Sequence, residues 1–285
     1  MAMQLRDIQV SPNGRFIIGA TWEKQLLITN ALTLETTSFP CDRWDVGGSR
    51  VLVADDGARF FTGAYHVHGV TAWRFPGPAE LWQRKDLKKV QHLALSSDGA
   101  LLLASLEGRG TFLLRANSGM GCGHWRGVTS VIPGPEGLFA RAGRRLDLCV
   151  SDGTVIGAAP RNTFGVLAGA FGASLVCISE AAGPVSFFAT ASFQEVWRYV
   201  PPAGSHVLEV GFRARTNTFV GIQWEYANGG PYRIIELAPS RQAAFDLRVR
   251  SADGDVAFCL GAESLYTASG VFESLTSSSE KDVGA

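Results

Sequence analysis

Few side chains in this 285-residue sequence are spaced for chemistry. His66 and His68 stand two apart, so an extended backbone would turn both imidazoles to one side, as a metal site begins. No third ligand follows at a completing distance, and no metal is expected. Glu23, Asp45, Glu107, Glu180 and Glu225 fall between apolar runs; if they converged, two of them could work as the acid and base of a hydrolase or lyase. Ser118-Gly119-Met120-Gly121-Cys122-Gly123 is rich enough in glycine to cradle a phosphate, but no helix follows to complete the cradle, so a turn is expected. Neither a Gly-x-Ser-x-Gly elbow nor a Walker loop is present. The five cysteines (Cys41, Cys122, Cys149, Cys177, Cys259) show no Cys-x-x-Cys spacing, and Cys177 and Cys259 lie in apolar runs where buried thiols belong. No catalytic constellation and no cofactor is expected.

The elements that carry these residues follow from composition and periodicity. Lysine plus arginine number 26, as do aspartate plus glutamate, so net charge offers no general attraction to nucleic acid. Apolar residues make up 46% of the chain, too many for a disordered one. The 33 glycines exceed the usual share of about 7% and predict many turns. Met1 to Val10 carries Arg6 and Asp7 and no apolar run of the kind that directs secretion, which with the scattered thiols points to the cytoplasm. Asn162 to Ser179 is uncharged and long enough to begin spanning a bilayer, but Gly165, Gly169 and Gly172 break it into what reads as two buried strands and a turn.

A turn recurs at Gly14, Gly57, Gly99, Gly137, Gly172, Asn217 and Gly254, at spacings of 43, 42, 38, 35, 45 and 37 residues. Asn is apt at the sixth position because it tolerates positive φ better than most residues. Strand-like runs flank these turns, such as Ile8 and Val10 before Gly14 and Phe16 to Ile18 after it. A third run follows in each unit, for example Leu26 to Ile28, Thr111 to Leu114 and Val185 to Phe188. A fourth carries an aromatic in most units: Phe39, Trp82, Trp125, Trp197, Phe245 and Phe272. Four strands per unit, seven times, predict an all-β, seven-bladed β-propeller of four-stranded antiparallel blades over residues 1–275. A polar tail, expected to be disordered, would occupy 276–285.

Ser11-Pro12-Asn13-Gly14-Arg15-Phe16-Ile17-Ile18-Gly19-Ala20 and the matching stretch Ser96 to Ser105 resemble the first hairpin of WD-repeat propeller blades. Ala72-Trp73 stands where that family often closes its third strand with Trp-Asp. No unit has Trp-Asp there or the family's opening Gly-His pair, so the resemblance is to a degenerate WD-repeat-like propeller. It implies a ring of such blades.

In such a wheel one face gathers the loops between second and third strands and those between blades. The residues expected to bind a protein partner there are Trp22, Lys24, Arg43, Trp44, Tyr65, His66, Arg84, Lys85, Arg109, Arg126, Arg145, Trp224 and Tyr226, since aromatic and arginine side chains concentrate binding energy at interfaces. Trp22, Trp44 and Trp224 depart from the repeat and read as loop residues, whereas Trp82, Trp125 and Trp197 recur in register and read as packing between blades. Residues 81–165 hold 11 basic and 6 acidic side chains, a basic arc over blades two to four suited to steering an acidic partner. The expected function is a non-catalytic protein–protein interaction module, either a complex subunit or an immunity-type inhibitor that caps a toxin. A propeller hydrolase or lyase is the alternative.

Overall fold

The computed structural model describes residues 5–11, 15–21, 23–40, 50–54, 56–75, 79–160, 165–181, 183–213, 216–225, 232–238, 241–246, 258–260, 264–267 and 272–274. Their strands run in chain order. Blade one holds β1 (Leu5–Val10), β2 (Phe16–Thr21), β3 (Gln25–Asn30) and β4 (Thr36–Pro40), and blade two holds β5 (Arg50–Val53), β6 (Arg59–Gly63), β7 (Val70–Arg74) and β8 (Ala79–Arg84). Blade three holds β9 (Val90–Leu95), β10 (Leu101–Leu106), β11 (Gly110–Arg115) and β12 (Gly121–Trp125), and blade four β13 (Ser130–Pro133), β14 (Leu138–Ala142), β15 (Leu146–Val150) and β16 (Val155–Ala159). Blade five holds β17 (Val166–Phe171), β18 (Leu175–Glu180), β19 (Val185–Ala189) and β20 (Glu195–Tyr199), and blade six β21 (Ser205–Arg213), β22 (Thr218–Glu225), β23 (Tyr232–Ala238) and β24 (Arg241–Asp246). A last, three-stranded sheet contains β25 (Phe258–Leu260), β26 (Ser264–Thr267) and β27 (Phe272–Ser274).

The expectation of seven four-stranded blades is therefore corrected. Among the described residues six sheets have four strands, giving six blades of that kind, and the last sheet has three. The repeat count treated the final turn, at Gly254, as proof of a full unit; that turn and the apolar run before β25 lie outside the described residues. All pairing is antiparallel between consecutive strands, so each sheet is a simple meander. Asn217 takes φ +53° at the turn of blade six, as the repeat requires. The uncharged stretch at 162–179 supplies β17 and β18, and no helix among the described residues is long and apolar enough to cross a membrane.

A blade buries little by itself; its faces must be covered by neighbours. Five apolar clusters do this, each bridging two adjacent blades. Phe60 and Trp73 of blade two stack on each other beside Phe39 and Ile18 of blade one. Phe187 of blade five meets Phe219 of blade six edge-on at 5.2 Å. Trp82, Trp125 and Trp197 all pack against such clusters, in line with their recurrence. Glycines make room for this packing: a Cβ on Gly134 of blade four would lie 2.8 Å from the Phe171 ring of blade five. Polar tethers add direction. The Val51 N–H donates to Asp7 Oδ2 at 2.9 Å, the Thr111 hydroxyl to Val128 O at 3.1 Å and the Ser179 hydroxyl to Val207 O at 2.5 Å, each from one blade to the next. The inner strands β1, β5, β9, β13, β17 and β21 meet in succession, and β25 touches both β21 and β1, which closes the ring.

Candidate functional site

The loops between second and third strands and between blades gather on one face, and those of blades two and three carry a connected polar network. In the β6–β7 loop, the Tyr65 hydroxyl donates to the Glu107 carboxylate of the β10–β11 loop, and this bond raises the phenol's pKa. Lys89 Nζ stands 3.9 Å from Glu107 and 5.9 Å from the centre of the Tyr65 ring. At the end of β8, Arg84 grips both oxygens of Asp86 at 2.8 and 2.7 Å and donates from Nη1 to Gly119 O of blade three at 2.9 Å. The paired hydrogen bonds raise the Arg84 pKa and lower that of Asp86. Arg109 reaches back to Asp86 O at 2.8 Å and lies 5.0 Å above Phe112. Phe112 stacks on His124 at 4.1 Å, and His124 Nε2 donates to Arg109 O at 2.7 Å.

Between blades three and four this face opens into a cleft of about 810 Å³. One wall is His124 to Val128, running from β12 toward β13; the other is Arg141, Gly143, Arg144, Arg145 and Asp147, around the β14–β15 turn. The turns touch through backbone: the Thr129 N–H donates to Ala142 O at 2.7 Å, and a Cβ on Gly143 would lie 2.9 Å from Gly127 O. Asp147 is engaged by Arg141 at 3.2 Å and by Arg145 at 2.6 Å, and Arg141 also covers Trp125 at 5.3 Å.

The structure thus brings Tyr65, Arg84 and Arg109 into one network, with His66 and Lys85 exposed beside it. It places Arg126 and Arg145 at the cleft. Lys24 is exposed at a tight turn of blade one, at φ +61°. Trp22, Arg43, Trp44 and Tyr226 lie outside the described residues. Trp224 is not a loop residue: it is half-buried near the end of β22, paired with His206 and Tyr232. Glu107 is committed to Tyr65 and Lys89, and Glu180 is buried at the end of β18. Among the described residues, no group of three or more His, Cys, Asp or Glu is placed to hold a metal ion.

One polar cluster escaped the sequence reading. Inner strands line an axial cavity of about 350 Å³ into which come Asp7, Arg50, His92 and Glu209. Arg50 Nη1 lies 3.7 Å from Asp7 Oδ1, and Arg50 Nε donates to Gln91 O at 2.7 Å. Burial pushes the His92 imidazole down to about 4, with Arg50 reinforcing the shift, and pushes the Glu209 carboxyl up to about 8. The sequence clue was a charged or imidazole side chain among the apolar residues of an inner strand, as at Asp7, His92 and Glu209.

No protein-family model matches the chain, and no curated protein sequence matches it. Solved structures do match in shape. Kluyveromyces lactis Hsv2 superposes with a TM-score of 0.71 at 10% identity, over 93% of this chain and 89% of that one. Its form with loop 6CD replaced by a Gly-Ser linker reaches 0.73 at 10% identity, with the same coverage. U3-55K gives 0.71 at 9% identity, over 93% and 88% of the two chains. These are propellers of the WD40 type, and this chain shares their β-propeller architecture. At such identities the likeness speaks for the architecture alone.

Proposed function

We propose that the protein is a non-catalytic interaction module that holds a protein partner on the loop-rich face. The observation that carries this is the cross-blade network of Tyr65, Glu107, Arg84, Asp86 and Arg109, which fixes long polar side chains in place before any partner arrives. Side chains already ordered lose less entropy on association. Exposed His66, Lys85 and Lys88 surround this platform. We assign Trp22, Trp44 and Trp224 as apolar anchors for the same partner. The shared WD40-type architecture supports the same reading, as propellers commonly present loops to partners. The working location we propose is the cytoplasm, as a subunit of an assembly or an inhibitor seated on an enzyme.

The test is affinity purification from the native cell with quantitative mass spectrometry. Wild type is compared with His66→Ala/Lys85→Glu/Lys88→Glu and with Trp22→Ala/Trp44→Ala/Trp224→Ala. Partner recovery should fall about tenfold in each variant, the loss of one good contact, while the melting temperature stays near wild type. Equal recovery by wild type and both variants would refute the assignment. A recovered enzyme whose activity is suppressed by the added propeller would define the inhibitor form.

A further inference from the structure

We infer that the cleft between blades three and four receives an acidic segment of a partner protein, with Arg126 and Arg144 as its anion-binding residues. This deepens the partner-binding reading of the loop face and rests on it. Four arginines line the cleft against one carboxylate, Asp147. That carboxylate is already occupied: it orients Arg141 and Arg145, and Arg141 is held over Trp125 as well. Arg126 and Arg144 are different. Both are exposed, and among the described residues neither forms a hydrogen bond or ion pair.

Their placement is not that of two independent surface arginines. Arg126 immediately precedes Gly127 and Arg144 immediately follows Gly143, two glycines on opposite walls so near each other that a Cβ on Gly143 would lie 2.9 Å from Gly127 O. The Thr129 to Ala142 hydrogen bond pins that approach, so the two side chains start from adjoining backbone on opposite walls. A concave site with an excess of one charge concentrates counter-charge. Guanidinium forks bind carboxylate or phosphate oxygens through paired, charge-assisted hydrogen bonds. The occupant is therefore a peptide-borne oxyanion, either clustered Asp/Glu side chains or a phosphorylated side chain. A chain with no net charge, basic mainly in this arc, fits a protein ligand better than a nucleic-acid polyanion.

The probes are fluorescein-labelled peptides titrated with the full chain and read by fluorescence anisotropy: a Glu-rich peptide, a phosphoserine peptide and a Gln-rich control. A Glu-rich or phosphoserine peptide should bind at least about tenfold more tightly than the control. Whichever binds better identifies the source of the anion. Arg126→Gln/Arg144→Gln, which keeps side-chain bulk, should lose about tenfold or more and weaken the salt dependence, whereas Arg74→Gln/Arg115→Gln, at exposed strand ends away from the cleft, should bind peptide as wild type does. Equal binding of control and acidic peptides, an unchanged arginine variant, or tighter binding of a single-stranded oligonucleotide would each overturn the inference. If peptide binding fails while the His66/Lys85/Lys88 variant still loses its partner, the cleft assignment falls and the loop-face function stands. If the cleft binds peptide but that variant and the tryptophan variant keep the partner, the broader reading falls instead.

Discussion

Replacing Glu209 by Gln should stabilise the protein, and more so as the pH rises. Glu209 projects from β21 toward the axial cavity, and its carboxyl is pushed up to about 8, first by burial and then by the charge of Asp7, with Arg50 opposing. Some of its area faces the cavity, yet protein surrounds it, so the desolvation of the walls dominates. A raised carboxyl in the folded state fixes the sign. Below the unfolded value of 4.5 both states hold the proton and the group is neutral in effect. Between there and about 8 the unfolded chain releases it while the folded chain keeps it, so stability falls as pH rises and levels off beyond. The difference between 8 and 4.5 sets a ceiling of about 5 kcal/mol. Water in the cavity reduces this to about 1–3 kcal/mol. For a chain of this size that is about 2–5 °C in melting temperature. Thermal melts of wild type and Glu209→Gln at about pH 5 and pH 8.5 should show that extra gain only at the higher pH. His92, held down to about 4 in the folded state, contributes the same pH dependence to both proteins and cancels in the comparison. A gain that is the same at both pH values, or absent at both, would refute the placement of Glu209 in a poorly hydrated cavity.

Two further outcomes follow from the packing. Gly169→Val in β17 would push a Cβ to 2.1 Å from Ile132 of the neighbouring blade and 2.8 Å from Cys177 O, so calorimetry should record a loss of about 1–3 kcal/mol; an unchanged melt would contradict the close approach of blades four and five. Alkylation of the native protein followed by peptide mass mapping should label exposed Cys122 rapidly. Cys149, with its thiol pushed up to about 11 chiefly by burial, and Cys177, pushed well above the ordinary thiol range by the same cause, should react only on unfolding.

Strand positions were legible because each is a local pattern. The aromatics Phe39, Trp82 and Trp125, each 43 residues apart, announce a repeated packing position, and the structure sets them at blade interfaces. The glycine excess was only half read: turns were visible, but the socket at Gly134 for Phe171 depends on a neighbouring blade. Trp224 was misplaced because the turn-rich stretch after it suggested an earlier strand end, whereas β22 extends through Glu225. Arg84 and Arg109 looked like free interface arginines; Arg84 is held by Asp86, two residues on, and by Gly119 O of the next blade, and Arg109 by Asp86 O across the joint between blades two and three. Asp7, Arg50, His92 and Glu209 were invisible as a group for the same reason, since only closing the ring brings four distant strands to one axis. Charge was legible as an arc over 81–165, but not that Asp147 would occupy two of its arginines and leave Arg126 and Arg144 to face solvent.

Among the described residues, every hydrogen-bonded ladder joins strands that are neighbours in the chain, and none crosses from one blade to another. The wheel behaves as a set of wedges rather than as a continuous belt. During synthesis each wedge can zip up as soon as its own four strands have emerged, while the joint of β25 with β1 must wait for the far end of the chain. Until then the exposed flank of blade one is an open invitation to the wrong neighbour, including the flank of another copy, which makes the order of assembly as much a matter of solubility as of shape.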